Sequence, residues 1–308
     1  MLRRIPQDHI NKQELQDQLR NHSFGFKGEQ SLDYFYRYLP KNDIYFLHGI
    51  RILQDDYFFQ MDTLLITPNF LTILEIKYLA GHLYFEDRFS QLIRTYENKR
   101  EAFPNPIEQV KRQSYHLSQI LKMYKFDFIP IESLVVMTHP SAIIEASPTY
   151  KEAFEKVIKS HGLQQKFHDL SYKHTKSIFN QKQIKKLSKL LTKFSIPYDT
   201  DVCELFNINK NELLSGVLCP NCTYSVMKYK WGTWSCLMCQ ESSKTAHIEA
   251  LQDYAYLISD KITNRECKQF LHLDSSDQTN HLLRSLNLPI SGSTKSRVYH
   301  IDKLLQDK

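Results

Sequence analysis

Glycine is scarce in this chain, 8 residues of 308, which argues against long flexible linkers. No apolar run approaches the ~18 residues of a membrane span. The N-terminus, Met1-Leu2-Arg3-Arg4-Ile5-Pro6-Gln7-Asp8, is basic, but no apolar stretch follows it as a secretory signal would require. Cysteines number six; four are clustered as pairs, while Cys203 and Cys267 stand alone. That usage fits metal binding in a reducing compartment rather than a disulfide framework. The expectation is a soluble, cytoplasmic protein that does not engage a membrane.

What is present is ordinary globular composition, 42% hydrophobic and 24% charged. One core rarely grows beyond ~250–300 residues, so two or three domains are expected. Net charge is +6 and uneven. From Lys151 to Lys193 eleven lysines face only Glu152, Glu155 and Asp169, a net of +8 that leaves −2 for the rest. Such a strip attracts phosphates. It reads equally as a solvated helix face, because Lys182, Lys185, Lys186, Lys189 and Lys193 alternate with Ile184, Leu187, Leu190, Leu191 and Phe194 at helical spacing.

Residues 11–39 read as helical, broken at Phe24-Gly25-Phe26-Lys27-Gly28 and stopped by Pro40. Strands are expected at 45–52, 57–67, 70–78 and 82–85, a helix at 107–124, a buried strand at 132–138, and helices at 149–160 and 180–194. This order implies an α/β fold: a mixed sheet flanked by helices. Pro197-Tyr198-Asp199-Thr200-Asp201 reads as a boundary.

The hairpin from Phe59 to Lys77 carries the chemistry. With a four-residue loop centred on Pro68-Asn69, Asp62 lies across from Glu75 and Gln60 across from Lys77. Residues two apart share a face, so Gln60, Asp62, Glu75 and Lys77 form one polar cluster while Ile76 points into the core. Two carboxylates directly opposed are destabilising unless something compensates. A Mg²⁺ ion, commonly held by one or two carboxylates with water and phosphate oxygens, would do so. A surface hairpin with scattered charges is the plainer alternative.

Gly25-x-x-Gly28-Glu29, Gln60-x-Asp62, Glu75-x-Lys77 and Asn105-Pro106-x-x-Gln109, in that order, resemble the nuclease-related domain (NERD), over roughly residues 16–140. That domain is similar to the restriction-endonuclease-like nucleases. The resemblance implies that Asp62 and Glu75 hold Mg²⁺, that Lys77 is the catalytic lysine, that Glu29 is an acid supplied by the first helix, and that Gln109 sits beside the site. The implied chemistry is metal-assisted phosphodiester hydrolysis. Met61 stands where the superfamily usually has proline.

Cys219-Pro220-Asn221-Cys222 and Cys236-Leu237-Met238-Cys239 are separated by 13 residues, the pattern of a structural Zn²⁺ site with four thiolates and no open position. A redox dithiol pair fits less well, because no βαβ pattern surrounds either pair. Tyr224, Val226, Tyr229, Trp231 and Trp234 make the segment between the pairs read as a hairpin. The whole resembles nucleic-acid-binding zinc ribbons, with Lys228 and Lys230 suited to that use; an architectural ribbon is the equal alternative.

Beyond the ribbon, 246–258 reads as a helix, Thr263-x-x-Glu266 and Ser275-x-x-Gln278 as capping boxes opening two more, and 297–301 as a strand. Three helices with a hairpin resemble a winged helix-turn-helix, in which Gln278, Asn280, His281 and Arg284 of the third helix face outward and Arg and Asn or Gln can read base edges; docking to protein is the alternative. The expected organisation is a nuclease-like domain at 1–200, a zinc ribbon at 214–243 and a helix-turn-helix-like module at 246–308. The expected function is a Mg²⁺-dependent nuclease acting on nucleic acid, DNA foremost, with self-association left open. The alternatives are a non-catalytic DNA-binding or regulatory protein on a nuclease-like scaffold and a protein-interaction adaptor.

Overall fold

The structure, a computed structural model, describes residues 1–40, 44–198, 201–223 and 225–305. Tyr224 of the ribbon and Asp199-Thr200 of the expected boundary lie outside them. The chain forms two compact units, Arg20–Tyr198 and a second made of Met1–Leu19 with Asp199–Lys308. The first residues, assigned above to the N-terminal domain, therefore pack with the C-terminal part.

In the larger unit, a five-stranded sheet has the order β1-β2-β3-β7-β9, with β1 Tyr45–Gln54, β2 Tyr57–Ile66, β3 Leu71–Lys77, β7 Ile131–Met137 and β9 Val157–Lys159. The first three strands are antiparallel and the last three parallel. A second sheet, β6-β5-β4-β8, is built from β4 Gly81–Glu86, β5 Gln91–Tyr96, β6 Lys99–Pro104 and β8 Ala142–Ala146. Helices α2 (Pro106–Met123) and α5 (Gln181–Phe194) bury Ile107, Val110, Leu117, Ile184, Leu187 and Leu191 in one core with Leu64, Ile73, Phe85 and Leu92. Helices α1 (Lys12–Tyr36) and α4 (Leu163–Lys173) cover the opposite face, where Leu32, Phe167 and Leu170 meet Leu65, Leu74 and Ile76. The expected mixed sheet flanked by helices is what forms.

Two local expectations change. Helix α1 is unbroken through Gly25 and Gly28. Gly28 is there for packing: a Cβ would fall 2.9 Å from Tyr78 Cβ and 3.2 Å from Thr138 Oγ1. The helix expected at 149–160 is the short α3 (Lys151–Lys156) running straight into β9, since Val157 takes up an extended conformation. Tight hairpins do without glycine where the sequence has little: Asp55-Asp56 and Glu97-Asn98 carry both central residues at positive φ, the geometry of a two-residue primed turn.

In the smaller unit the short helix α6 (Val202–Leu205) precedes a three-stranded ribbon of β10 Lys228–Lys230, β11 Thr233–Ser235 and β12 Ser242–Ser243. There follow α7 Ala246–Leu257, β13 Lys261–Thr263, α8 Asn264–Leu271, α9 Ser276–Ser285, β14 Ile290–Ser291 and β15 Val298–His300, with sheet order β13-β15-β14. Ribbon and helices share one core: Val217, Met227 and Trp234 pack with Leu251, Ile262, Leu271 and Tyr299. The N-terminal arm is clamped in this unit through Arg4, which is 1% exposed and donates to Asp253 (2.6 Å) and to the carbonyls of Leu214 (3.0 Å) and Gly216 (2.7 Å). Cys203 and Cys267 are buried apart from the paired cysteines, as packing residues.

Candidate active site and metal centre

Strands β2 and β3 pair in the expected register, from Ile66–Leu71 to Thr63–Leu74, around the four-residue loop Thr67–Phe70. The Thr67 hydroxyl locks that loop: it donates to the Phe70 carbonyl (2.7 Å) and accepts the Phe70 N–H (3.0 Å). One step beyond the last regular pair come Asp62 and Glu75, near enough for the charge of Glu75 to act on Asp62. Here the ladder gives way, and Asp62 Oδ2 accepts the Ile76 N–H at 2.8 Å.

The cause lies on the neighbouring strand. Gly49, across β1–β2 from Asp62, has φ +59°. On either side the alternation slips by one: Met61 and Leu64, of opposite parity, both enter the core under α2. The slip changes one expectation, because the Gln60 side chain is exposed and Gln60 enters the site only by its carbonyl.

Glu75 is 1% exposed, and each of its oxygens has a donor. Lys77 Nζ lies 2.6 Å from Oε1, and Gln113 Nε2 donates to Oε2 at 2.8 Å. Lys77 also donates to Gln109 Oε1 at 3.2 Å. Helix α2 brings both glutamines, one turn apart. Asn105 starts that helix by accepting the Ile107 N–H (3.0 Å), with Pro106 in its first turn. Glu29 on α1, one residue past the close approach at Gly28, lies within reach of the Glu75 charge.

Negative charge exceeds what Lys77 neutralises. Burial, then the Glu75 carboxylate, push Asp62 up to about 7, against the pull of the Ile76 N–H and Lys77. Burial, then Glu75, also raise Glu29. A site that disfavours its own ionised carboxylates is one that a divalent cation would stabilise. The residues fit Mg²⁺ held by Asp62 and Glu75 with oxygens from water and phosphate. The fit is looser than for the cysteines: among the described residues only the thiol cluster brings three or more ligand atoms within 4.8 Å of one another.

Gln113 was missed in the sequence. It is 4% exposed and its amide bridges Glu75 and the Gln60 carbonyl (2.7 Å), while its own Oε1 has no partner among the described residues. The available signal was its place one helical turn after Gln109.

In the ribbon, Cys219 Sγ is 3.6 Å from Cys239 Sγ and Cys222 Sγ is 3.8 Å from Cys236 Sγ. A tetrahedron with Zn–S bonds of ~2.3 Å has edges of about 3.8 Å, so the four-cysteine cluster could hold zinc. The five lysines of α5 are exposed over their buried apolar stripe.

The larger unit is thus a mixed α/β domain with carboxylates on adjacent strands, a lysine two residues after the second and two glutamines on the following helix. Residues 24–138 match the family model described as "Nuclease-related domain" (NERD). No curated protein and no solved structure matches the chain. Among the described residues no helix is long and apolar enough to cross a membrane.

Proposed function

We propose that the chain is a metal-dependent nuclease that hydrolyses phosphodiester bonds of DNA. The observation that carries this reading is the Asp62–Glu75 pair with Lys77 Nζ at 2.6 Å from Glu75. Bound Mg²⁺ would polarise the phosphate and lower the pKa of a water molecule. Asp62 and Glu75 would hold the ion. Lys77, kept beside Glu75 and Gln109, orients the attacking water and offsets charge that builds on the phosphate. Glu29 adds a third acid from α1. Zinc in the four-cysteine ribbon has a structural role, since four thiolates leave no position for substrate.

The smaller unit supports recognition of duplex DNA by a part distinct from the cleavage site. The order α7-β13-α8-α9-β14-β15 supports a winged helix-turn-helix reading, in which α9 would be the groove-entering helix. His281 and Arg284 are exposed on α9. This favours one second reading, a DNA-binding protein whose nuclease scaffold does not cleave.

Incubation of plasmid DNA and of single-stranded DNA with the full chain and Mg²⁺ separates the two. The nuclease reading expects cleavage that is lost in Asp62→Ala and Lys77→Ala, with DNA retention unchanged. Retention of DNA without cleavage by the wild type would overturn it and leave the second reading.

A further inference from the structure

Beside the carboxylates lies a group of rings and cations that the cleavage reading does not use. Tyr78 follows Lys77 directly, at the same end of β3 but, by strand alternation, on the α1 side of the sheet. The close approach at Gly28 brings one face of α1 onto it. Lys27 sets its ammonium 5.3 Å from the Tyr78 ring centroid. Phe24, one turn earlier, lies 6.0 Å from the same ring at an interplanar angle of 31° and is 47% exposed. His139 meets Tyr78 edge-on at 4.7 Å.

These groups are held in place. Ser141 directs both its N–H (3.2 Å) and its hydroxyl (2.8 Å) at His139 Nδ1, and Lys159 donates to the carbonyls of Pro140 (3.2 Å) and Ala142 (2.7 Å), fixing the loop that carries the imidazole. The surroundings are cationic: burial, then Lys27, Arg94 and Lys159, hold His139 below its ordinary pKa. Arg94 itself lies over the Tyr96 ring at 5.0 Å, and its Nε has no acceptor among the described residues. Of the acids of the neighbourhood, Glu29, Asp62 and Glu75 belong to the cleavage site, and Glu101 pairs with Arg94 at 3.9 Å.

Partly exposed rings interleaved with cations distinguish between forms of nucleic acid. A duplex hides its base faces and presents phosphates and base edges, which call for cations and hydrogen-bonding groups. An unpaired strand exposes base faces, which aromatic side chains take up whatever the sequence, while cations track the phosphates. We propose that Phe24, Lys27, Tyr78 and His139 form a stacking platform for unpaired nucleotides, so that single-stranded nucleic acid is the form this site engages. The proposal rests on the nuclease reading for the use to which the strand is put. Binding to the platform itself does not depend on cleavage.

The test is binding of the full chain, without added Mg²⁺, to single strands of about 12 nucleotides. The probes are oligo-dT, oligo-U and a 2-aminopurine-containing oligonucleotide, compared with a blunt duplex of the same length. Tyr78→Leu keeps the Cβ that Gly28 packs against, and Phe24→Leu alters a half-exposed side chain that folding does not require. Each is expected to weaken single-strand binding by about 5- to 100-fold and leave duplex binding unchanged. Quenching of 2-aminopurine fluorescence by the wild type should be lost in both. The oligo-dT and oligo-U arms separate DNA from RNA as the source of the strand. Equal losses for strand and duplex, no loss in either variant, or no single-strand binding by the wild type at low salt would overturn the platform. Wild-type protein that binds the strand but does not cleave it in Mg²⁺ would remove the nuclease reading alone.

Discussion

The Gln113 amide and the Glu75 carboxylate are locked in a single orientation, with Nε2 donating to Oε2 at 2.8 Å and to the Gln60 carbonyl at 2.7 Å. A flipped amide would set two acceptors against each other. Gln113 thus fixes where Glu75 points. Replacing Gln113 by Leu is expected to cost about 1–3 kcal/mol of stability, because the Gln60 carbonyl loses its donor in a buried place. It should also raise the Mg²⁺ concentration needed for cleavage, or slow cleavage, by about 10- to 100-fold, the range for residues that orient metal ligands. Denaturant melts and a Mg²⁺ titration of cleavage check both parts.

The two glycines of α1 should respond in opposite ways. Gly28→Val forces atoms into Tyr78 and Thr138 and should destabilise by about 1–3 kcal/mol, with loss of cleavage as Glu29 is displaced. Gly25 has nothing within 4 Å of a built Cβ, so Gly25→Ala should stabilise by about 0.5–1 kcal/mol through helix propensity. Urea midpoints of the two variants against wild type decide it.

Much of this geometry was readable in the chain. The β2–β3 register, from Ile66–Leu71 to Thr63–Leu74, followed from Pro68 and the hydrophobic pattern, and Thr263 with Glu266 forms the capping box expected of it. What escaped were elements without an apolar signature. Strand β6 is largely exposed, and β5 and β6 join through Glu97-Asn98, a turn without glycine. The slip at Gly49 and the partner of Arg4 are tertiary facts. Nothing in Leu2-Arg3-Arg4-Ile5 announces Asp253, about 250 residues away, as its counter-charge.

The ribbon should be a folding element of its whole unit, because Cys219 and Cys236 sit in the same core as Trp234, Leu251 and Tyr299. One zinc per chain is expected by elemental analysis. Its removal by a strong chelator, or Cys236→Ser, should unfold more than the ribbon, seen as a red shift of tryptophan emission and loss of helical circular dichroism from α7 to α9.

His247 should make the smaller unit acid-sensitive. Its Nδ1 accepts the Trp234 indole N–H at 3.1 Å, and burial brings its pKa down to about 4. Above pH ~6.5 the ring is neutral folded and unfolded, and stability does not depend on it. Between pH ~6.5 and about 4 the unfolded chain takes a proton that the folded one refuses, so stability falls as pH falls. The loss approaches about 3 kcal/mol near pH 4. Denaturant melts at pH 7 and pH 4.5, taken as the difference between wild type and His247→Asn, isolate this contribution from protonation of the cysteines.

The change of face at Gly49 divides the β1–β2 hairpin into two lengths with separate duties. Residue pairs at the exposed Asp55-Asp56 tip can be removed or added, one from each strand, without turning Asp62, whereas Ile50, Ile52, Phe59 and Met61 nearer the glycine belong to the core. A single-residue deletion between Gly49 and the tip would instead rotate the acid out of its seat. The aim of that one side chain is written into the backbone rather than into its rotamer, which makes the tip of the arm a place for insertions and the glycine a place that tolerates none.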